Sequence, residues 1–326
     1  MTSSPPIAVQ IVTWNHAAVI DACLASLSAQ TLRDFEVVVV DNASTDDTRA
    51  RVEGHRSALP RLDVVAELEN TGFCRGQNTA TCRTTAPIVL FLNPDTTLPE
   101  AFLATAVECF AEAPPTVGAL APCLVRPDGT LDSTGLDLDR FRRAYDRDRG
   151  QPAERRALAP SDVFGCTGAA ALLRRTMLDQ LDTGAGPLDE ALFAYCDDMD
   201  LAWRARLSGW GCRYESRLAL VHHRMARNAI RGVANRPPRA RDQFLMVRNR
   251  LLVMAKCERG LDFVQALAWL VPFELTRLVF LAVRLPHCLA AYTDAIRLMP
   301  GALRARRELH RAGRHGKLGP RPWRVK

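Results

Sequence analysis

The sequence predicts an α/β protein with a mostly parallel sheet flanked by helices and a helical C-terminal extension. An alternating strand at Ile7–Ile11 and a buried strand at Phe35–Val40 are separated by helical spacing from Val19 to Ala29. A strand, a helix and a strand in so short a stretch form a βαβ unit, which requires a parallel sheet. The apolar run Val89–Leu92 suits a further strand that is buried on both faces of that sheet.

Length and composition are those of an ordinary globular protein. The 326 residues are 48% hydrophobic and 24% charged, so the chain can bury a sizeable core in one or two domains. The formal net charge of +7 is concentrated in Gly301–Lys326, which contains seven Arg and two Lys against one Glu. The ten cysteines include no C-x-x-C pair, which disfavours a zinc knuckle or a redox pair. Met1–Pro6 has no signal-peptide pattern, and we therefore expect reduced thiols in a cytoplasmic protein.

The residues that follow Val89–Leu92 form the first candidate site. Asn93 and Pro94 end the strand, because proline donates no backbone hydrogen bond and favours an extended residue before it. Asp95 then lies just beyond the carboxyl end of a strand, where open α/β sheets bind their ligands. A carboxylate there can hold a divalent cation against a diphosphate. The alternative is a turn that uses Asn-Pro-Asp for its geometry alone.

A second acidic segment, Asp41–Thr48, follows the strand Phe35–Val40. Ser44 or Thr45 can cap the next helix, and the two aspartates after them suit the positive end of that helix. Asp41 differs from them because it lies at the strand tip, before the cap. Its carboxylate can accept a hydrogen bond from the N3–H of uracil or thymine, a group that cytosine lacks.

Two glycines, Gly72 and Gly76, follow a predicted third strand at Leu62–Leu68 and flank the start of a helix that we expect to reach about Thr84. Glycine permits close backbone approach, and a helix N-terminus favours an anion. An ordinary glycine loop is the alternative. The sequence has no G-x-G-x-x-G motif after the first strand and no G-x-x-x-x-G-K-[ST] motif anywhere. It therefore lacks the signatures of dinucleotide-binding and P-loop folds.

Asp197 and Asp198 open a predicted helix that runs to Gly209. Adjacent carboxylates repel each other and raise each other's pKa, which suits a general base. Asp200 has a simpler explanation, because it favours the helix N-terminus and can pair on the helix surface with Arg204, four residues on.

His222 and His223 end two short predicted strands, Gly211–Glu215 and Leu218–Val221. A histidine at a strand end can complete a divalent-metal site with Asp95, although a purely structural histidine is the alternative.

Residues 126–161 are polar, rich in arginine and poorly periodic. We predict a variable surface loop there, with contact to an acceptor molecule as the alternative.

Six motifs occur in the order typical of glycosyltransferase family 2, and the chain resembles the rhamnosyltransferase-like branch of that family. They are Thr13-Trp14-Asn15, Val40–Asp46, Asn70–Phe73, Leu92–Asp95, Asp197–Leu201 and Val221–His223. The similarity covers about Ile7 to His223, with a weaker match at Arg248–Arg250.

The resemblance implies a GT-A fold, with a Rossmann-like sheet, and an inverting transfer from a nucleotide-sugar donor. It implies that Asp41 contacts the pyrimidine base and that Thr13, Asn70, Gly72 and Asn93 line the donor nucleotide site. The donor is then a dTDP-sugar or UDP-sugar, with dTDP-rhamnose favoured by the resemblance alone. The acceptor is a lipid-linked or cell-surface glycan.

The resemblance also implies a divalent cation, Mn²⁺ or Mg²⁺, at the donor diphosphate. Asp95 occupies the place of the last acid in the family's Asp-x-Asp metal motif, and His222 is our choice for a further ligand, with His223 as the alternative. Asn93 replaces the first acid of that motif, which leaves Asp95 as the only carboxylate there.

The implied general base is Asp198, with Asp197 beside it. A carboxylate in this position can take the proton of the acceptor hydroxyl as that hydroxyl attacks the anomeric carbon. Trp203, one helical turn further on, is placed either against an acceptor sugar or in the core.

The segments Gln243–Lys256 and Leu261–Ala291 are predicted to be helical and are unusually apolar. Four charged residues interrupt the second segment, so no charge-free run reaches the roughly 18 residues of a spanning helix. They are Asp262, Glu274, Arg277 and Arg284. We expect either helices in the membrane interface with the basic tail drawn to anionic lipids, or a helical subdomain packed on the sheet with a solvated tail.

These observations predict a catalytic domain at residues 1–230 and a helical extension at 231–326. The protein is expected at the inner face of the cell membrane as a peripheral glycosyltransferase, and no motif indicates nucleic-acid binding. Two other functions stay open. One is a degenerate, non-catalytic family member that acts as a membrane-bound partner, which the loss of the first metal carboxylate favours. The other is a sugar nucleotidyltransferase, although its Gly-rich, Lys-containing loop is absent after Ile11.

Overall fold

The computed structural model describes residues 4–59, 61–224 and 240–312, and its first part alternates strands and helices. The strands are β1 (Ile7–Thr13), β2 (Glu36–Asp41), β3 (Leu62–Ala66) and β4 (Ile88–Leu92), and the helices between them are α1 (Ile20–Ser28), α2 (Thr48–Gly54) and α3 (Phe73–Thr81). β1 pairs in parallel with β2 and β4, and β2 pairs in parallel with β3. The predicted βαβ unit is therefore confirmed.

The second part widens this sheet and adds antiparallel strands. It contains β5 (Thr96–Thr97), α4 (Phe102–Glu112), β6 (Val117–Val125), β7 (Leu131–Ser133), β8 (Leu136–Leu138), β9 (Ala144–Asp146), β10 (Ser161–Val163), β11 (Ala170–Arg174), α5 (Arg175–Leu181), α6 (Asp197–Leu207) and β12 (Gly211–His222). The strand order is β10-β12-β6-β11-β4-β1-β2-β3, with β5 paired to β12 and β7 to β6. β11 is antiparallel to β4 and β6, whereas β12 is parallel to β6. The chain is thus an α/β protein with a central, mostly parallel sheet flanked by helices, as predicted.

Two predictions for this part are wrong. β12 is one strand with an irregular register between Glu215 and Ala219, not two separate strands. Residues 126–161 do not form only a surface loop, since β7 joins the main sheet and β8 pairs with β9. Leu131 and Asp132 in this segment are buried. The segment resembled a loop because its polar side chains form ion pairs with one another and with distant residues.

Apolar side chains cover both faces of the sheet, since successive residues of a strand point to opposite sides. On one face Val37 packs in a cluster with Leu24 of α1. On the other face Val38 and Val40 pack with Ala80 of α3. Burial on both faces explains why these strands are continuous apolar runs instead of alternating ones.

Three helices follow the sheet: α7 (Ala240–Cys257), α8 (Gly260–Arg284) and α9 (Ala290–Ala312). α7 packs against α6 and α9, so it connects the extension to the helix that begins with the acidic pair. A short 3₁₀ turn at Pro286–Leu289 joins α8 to α9. The predicted domain boundary at residue 230 and the tail at 313–326 lie outside the described residues.

α8 combines length with apolar composition. Asp262–Arg284 is long and apolar enough to cross a membrane by length and composition alone, with a mean hydropathy of 1.7. The charges in the middle of the helix are turned toward the protein, since Glu274 contacts Arg250 of α7 and accepts a hydrogen bond from the Tyr292 hydroxyl of α9 at 3.1 Å. Arg277 lies 3.5 Å from Glu274. These two central charges therefore leave the outer face of α8 apolar, whereas Arg284 at its C-terminal end is exposed.

Candidate active site

The first pair of predicted donor-site residues lies at the carboxyl ends of two neighbouring strands. Thr13 of β1 and Asp41 of β2 are direct partners in the parallel register, and both side chains are buried. Asp41 Oδ1 accepts a hydrogen bond from the Ser44 backbone N–H at 3.3 Å. The predicted helix cap is wrong, because the residue before α2 is Asp47 and neither Ser44 nor Thr45 fills that position.

A hydrogen-bonded turn places the next candidates beside this pair. Asn70 Oδ1 accepts a hydrogen bond from the Gly72 backbone N–H at 3.0 Å. Asn42, which the sequence argument missed, donates to the Gly72 carbonyl at 3.0 Å and accepts from the Thr71 backbone N–H at 2.9 Å. Gly72 has a φ of +91°, and a Cβ on it would lie 2.6 Å from the carbonyl oxygen of Phe193. Only glycine tolerates both the positive φ and the close approach of Phe193, so the structure requires glycine at position 72.

Asp95 and His222 meet although they are far apart in sequence. β5 pairs with the end of β12, which brings His222 Nε2 to 3.3 Å from Asp95 Oδ1. His222 Nδ1 lies 2.7 Å from Asp132 Oδ2. Burial alone would lower the pKa of His222, but hydrogen bonds to Asp132 and Asp95 outweigh it and raise this pKa to about 9. His223 points elsewhere, with its Nε2 3.2 Å from the Thr97 hydroxyl.

Asp132 is the most important residue that the sequence argument missed. It is buried, and burial would raise its pKa, but His222 and Arg224 hold that pKa well below its usual range. Arg224 Nε donates to Asp132 Oδ1 at 2.6 Å, and Arg126 Nε donates to the same oxygen at 2.9 Å. A second ion pair joins Arg224 to Asp146 at 3.3 Å. No local pattern indicated this cluster, because its members come from β7, β9, β12 and the residues that follow β6 and β12.

His16 is a further residue at this edge. Its Nδ1 lies 3.1 Å from the Thr13 hydroxyl, and its pKa is lowered by burial, an effect that the charges of Asp95 and Asp46 partly offset. His16 thus contacts the nucleotide candidate Thr13 and lies near enough to Asp95 for that charge to influence its pKa. Its place three residues after Thr13, just past the end of β1, was the signal that could have identified it.

The donor set at Asp95 fits a divalent cation in part. Among the described residues, no three His, Cys, Asp or Glu side chains are arranged as a complete ligand set. A carboxylate and an imidazole nitrogen do face each other, and the second imidazole nitrogen is held by Asp132, the arrangement that orients histidine ligands in metalloproteins. Asp95 and His222 would hold the ion, and oxygens of a bound diphosphate or of water would complete the shell.

Asp197 and Asp198 begin α6, as predicted. Cys196 before them has a left-handed backbone, with a φ of +60°. Asp198 Oδ1 accepts the Met199 backbone N–H at 2.8 Å, and its Oδ2 accepts the Gly168 N–H at 3.3 Å. These bonds fix the carboxylate, and the positive helix end favours its charge.

Burial raises the pKa of both carboxyls in this pair. Asp197 is buried beside an apolar cavity that Phe91, Phe164 and Leu201 help to line, and the charge of Asp198 raises its pKa further. The pKa of Asp198 rises mainly through burial, with a contribution from the charge of Asp146. A carboxyl group that titrates closer to neutrality is a better general base.

Two further predictions for α6 need correction. Asp200 and Arg204 do pair, at 2.7 Å, but both are buried and not on the helix surface. Asp200 also binds Lys256 of α7 at 2.8 Å. Trp203 is fully buried and packs edge-on against Phe164, so the structure places it in the core and not against an acceptor.

The fold is similar to that of solved glycosyltransferase structures. A mannosyltransferase from Pyrobaculum calidifontis, solved with GDP-Man and Mn²⁺, shares 22% sequence identity at a TM-score of 0.55, over 95% of this chain and 86% of that one. Staphylococcus aureus TarS, solved with UDP-GlcNAc, shares 20% identity at a TM-score of 0.60, over 94% of this chain and 86% of that one. Both similarities show the fold class of this chain, which is GT-A.

Sequence comparison assigns the chain within that class. The model of glycosyl transferase family 2 matches residues 8–182, and the chain belongs to this family. It is 28% identical over 246 residues to the N-acetylglucosaminyl-diphospho-decaprenol L-rhamnosyltransferase of Mycobacterium tuberculosis. The aligned region is 65% of this chain and 74% of the relative. It is also 32% identical over 148 residues to a PGL/p-HBAD biosynthesis glycosyltransferase of Mycobacterium bovis. That aligned region is 45% of this chain and 54% of the relative.

Proposed function

We propose that this enzyme transfers a sugar, with inversion, from a nucleotide-sugar donor to a hydroxyl of a lipid-linked or cell-surface glycan. The observation that carries the proposal is the convergence of two groups at one edge of the sheet: the Asp95–His222 pair and the fixed carboxylate of Asp198. Adjacent residues 168 and 169 connect them, because the Ala169 carbonyl accepts the Asn93 backbone N–H at 2.9 Å and the Gly168 N–H donates to Asp198 Oδ2 at 3.3 Å. The rhamnosyltransferase relative supports L-rhamnose, supplied as dTDP-rhamnose, as the favoured donor sugar.

The chain's own residues account for the main steps of this reaction. Asp41 accepts the N3–H of the base, and Thr13, Asn70, Gly72 and Asn93 surround the nucleotide. Asp198 takes the proton of the acceptor hydroxyl while that oxygen attacks the anomeric carbon from the side opposite the leaving diphosphate. Asp197 influences the protonation of Asp198 through its own charge, because the two adjacent carboxyls titrate together. A divalent cation, held by Asp95 and His222, would stabilise the charge that develops on the diphosphate.

The test measures thermal stabilisation and sugar transfer with the same protein. We expect dTDP or UDP to raise Tm when Mn²⁺ or Mg²⁺ is present, since a ligand at a hundred times its Kd adds about 2.7 kcal/mol. Asp95→Ala should lose the metal-dependent part of this shift. Transfer from dTDP-rhamnose, followed by release of dTDP, tests the favoured donor against UDP-sugars. Nucleotide binding without any turnover would favour the non-catalytic partner instead.

We further propose that residues 1–230 carry catalysis and that residues 231–326 hold the enzyme at the cytoplasmic face of the membrane. α8 exposes many large apolar side chains, a feature that monomeric soluble proteins rarely show over a contiguous surface. They include Phe263, Val264, Trp269, Val271, Leu275, Val279, Phe280 and Val283, with Val283 72% exposed. Arg297 of α9, 82% exposed, adds positive charge that anionic lipids attract.

Liposome sedimentation tests this membrane contact. We expect the full chain to sediment with vesicles that contain anionic lipid and to be released by the double substitution Val279→Glu and Val283→Glu. Leu158→Glu is the control, because Leu158 is 75% exposed and lies beside Ser216 of β12, whose hydroxyl donates to the Leu158 carbonyl, and not on α8. Equal sedimentation of all three proteins would contradict the assignment of α8.

A further inference from the structure

The loop before the acidic pair has an unfavourable backbone. Phe193, Tyr195 and Cys196 all have a positive φ, of 66°, 69° and 60°, and none of them is glycine. Residues with side chains rarely adopt this conformation, and they keep it only where the surroundings impose it. The loop ends directly at Asp197 and Asp198, so its shape decides where those carboxylates point.

Asn249 of α7 makes three hydrogen bonds to this loop. It is fully buried, and its Nδ2 donates to the carbonyl oxygens of Leu192, Ala194 and Tyr195, each at 2.8 Å. Its Oδ1 accepts a hydrogen bond from Arg248 Nε at 2.9 Å, which fixes the orientation of the amide. One side chain from the C-terminal extension therefore holds three carbonyl groups of the strained loop.

The neighbouring contacts complete this arrangement. Arg248 donates to the carbonyls of Ala191 and Leu192 at 2.9 and 3.1 Å, and it pairs with Asp294 of α9 at 3.1 Å. The Phe193 carbonyl accepts the Cys74 backbone N–H of α3 at 3.0 Å. Every carbonyl from Ala191 to Tyr195 thus has a donor, and Arg248 or Asn249 donates to each of them except that of Phe193.

We propose that Asn249 is a positioning residue for the transfer reaction, which holds the loop 192–196 so that Asp198 faces the acceptor hydroxyl. This inference rests on the proposed function of Asp198. It adds that the C-terminal helices do more than face the membrane, because α7 and, through Arg248, α9 fix the geometry of the catalytic edge. Asn249 itself touches no reacting atom and acts only through the loop.

Asn249→Ala should lower kcat about a hundredfold, the usual result of misplacing a catalytic group by about 1 Å. The KM for the donor and the Tm shift produced by nucleotide should change by no more than about twofold, because the loss concerns the transition state and not ground-state binding. Asn249→Asp should be at least as harmful, since it turns an oxygen toward three carbonyl oxygens. Asn249→Ser keeps one hydrogen-bond donor and should therefore retain part of the kcat that Asn249→Ala loses. It replaces Asn249→Ala in these measurements if that variant does not fold.

Two controls separate positioning from a loss of stability. Val253→Ala removes buried apolar volume from the same helix and should lower Tm without lowering kcat. In an Asp198→Asn background, Asn249→Ala should cause no further loss of kcat, because groups that act as a unit are not additive. An unchanged kcat in Asn249→Ala, or an equal loss of kcat in the Asp198→Asn background, would overturn the proposal.

A structural readout keeps this test distinct from the test of the proposed function. If the wild type transfers no sugar, the proposed function fails, and amide hydrogen exchange then decides the role of Asn249. We expect faster exchange at residues 193–198 in Asn249→Ala than in Val253→Ala. Equal exchange in the two variants would show that Asn249 does not hold the loop.

Discussion

Asp132 holds His222 in place beside Asp95. Its Oδ2 lies 2.7 Å from His222 Nδ1, while His222 Nε2 lies 3.3 Å from Asp95 Oδ1. One imidazole therefore connects a carboxylate that would bind a cation directly with a carboxylate that only orients the ring. The negative charge of Asp132 also increases the basicity of the ring, which strengthens a histidine ligand.

Asp132→Asn should weaken binding of Mn²⁺ by about 10- to 100-fold, because it loses the charge that orients His222. The measurement is a Mn²⁺ titration of the Tm shift at saturating nucleotide. Asp128→Asn is the control, since Asp128 lies four residues away and makes its hydrogen bonds only within its own turn, to Thr130. Identical titrations for wild type and Asp132→Asn would rule out this role of Asp132.

Asp198→Asn should bind donor normally and lose about 10²- to 10⁴-fold in kcat, the usual contribution of a general base. The amide keeps the shape of the side chain but cannot take a proton. Single-turnover transfer and the nucleotide-dependent Tm shift measure the two properties separately. Asp179→Asn, at a half-exposed ion pair with Arg175, controls for the loss of one negative charge. Normal turnover by Asp198→Asn would exclude it as the base.

The rate of transfer should fall as pH decreases through about 6. Burial raises the pKa of Asp198 to about 6, and a general base works only when deprotonated, so acid removes the active form. The apparent pKa seen in such a profile belongs to the Asp197–Asp198 pair, because the two carboxyls interact. A pH profile of kcat measures it, with residual turnover by Asp198→Asn as the reference. A profile that stays flat down to pH 4.5 would contradict the raised pKa.

The sequence predicted those parts of the site that depend on chain order within single elements. Asp41 and Asp95 were found because each ends an apolar strand, and Asp198 because it opens a helix beside a second carboxylate. Asp132 was not found, and Asn249 was noted only within the weaker match at Arg248–Arg250, because the role of each depends on partners more than 50 residues away in sequence. Trp203 was ambiguous for a related reason. Helical spacing placed it on α6, but only the packing of Phe164 shows that it faces inward.

The stability of the site should depend on a buried ion pair between the extension and α6. Lys256 is buried, lies 2.8 Å from Asp200 and also contacts Asp189. Asp200 is paired with two buried cations, Arg204 and Lys256, and Lys256→Met would leave it with Arg204 alone. Removing one partner of a buried pair costs about 3–5 kcal/mol, because the remaining charge has lost its compensation.

Urea denaturation of Lys256→Met measures this cost, and a matched surface pair supplies the comparison. Arg51 pairs with Asp21, and each side chain is nearly half exposed. Arg51→Met should therefore change the free energy of unfolding by no more than about 1 kcal/mol. A loss in Lys256→Met that is no larger than this would mean that water reaches Asp200 in solution. The larger loss would show that α7 is a stabilising part of the catalytic unit, because the cation it supplies is needed to bury the first turn of α6.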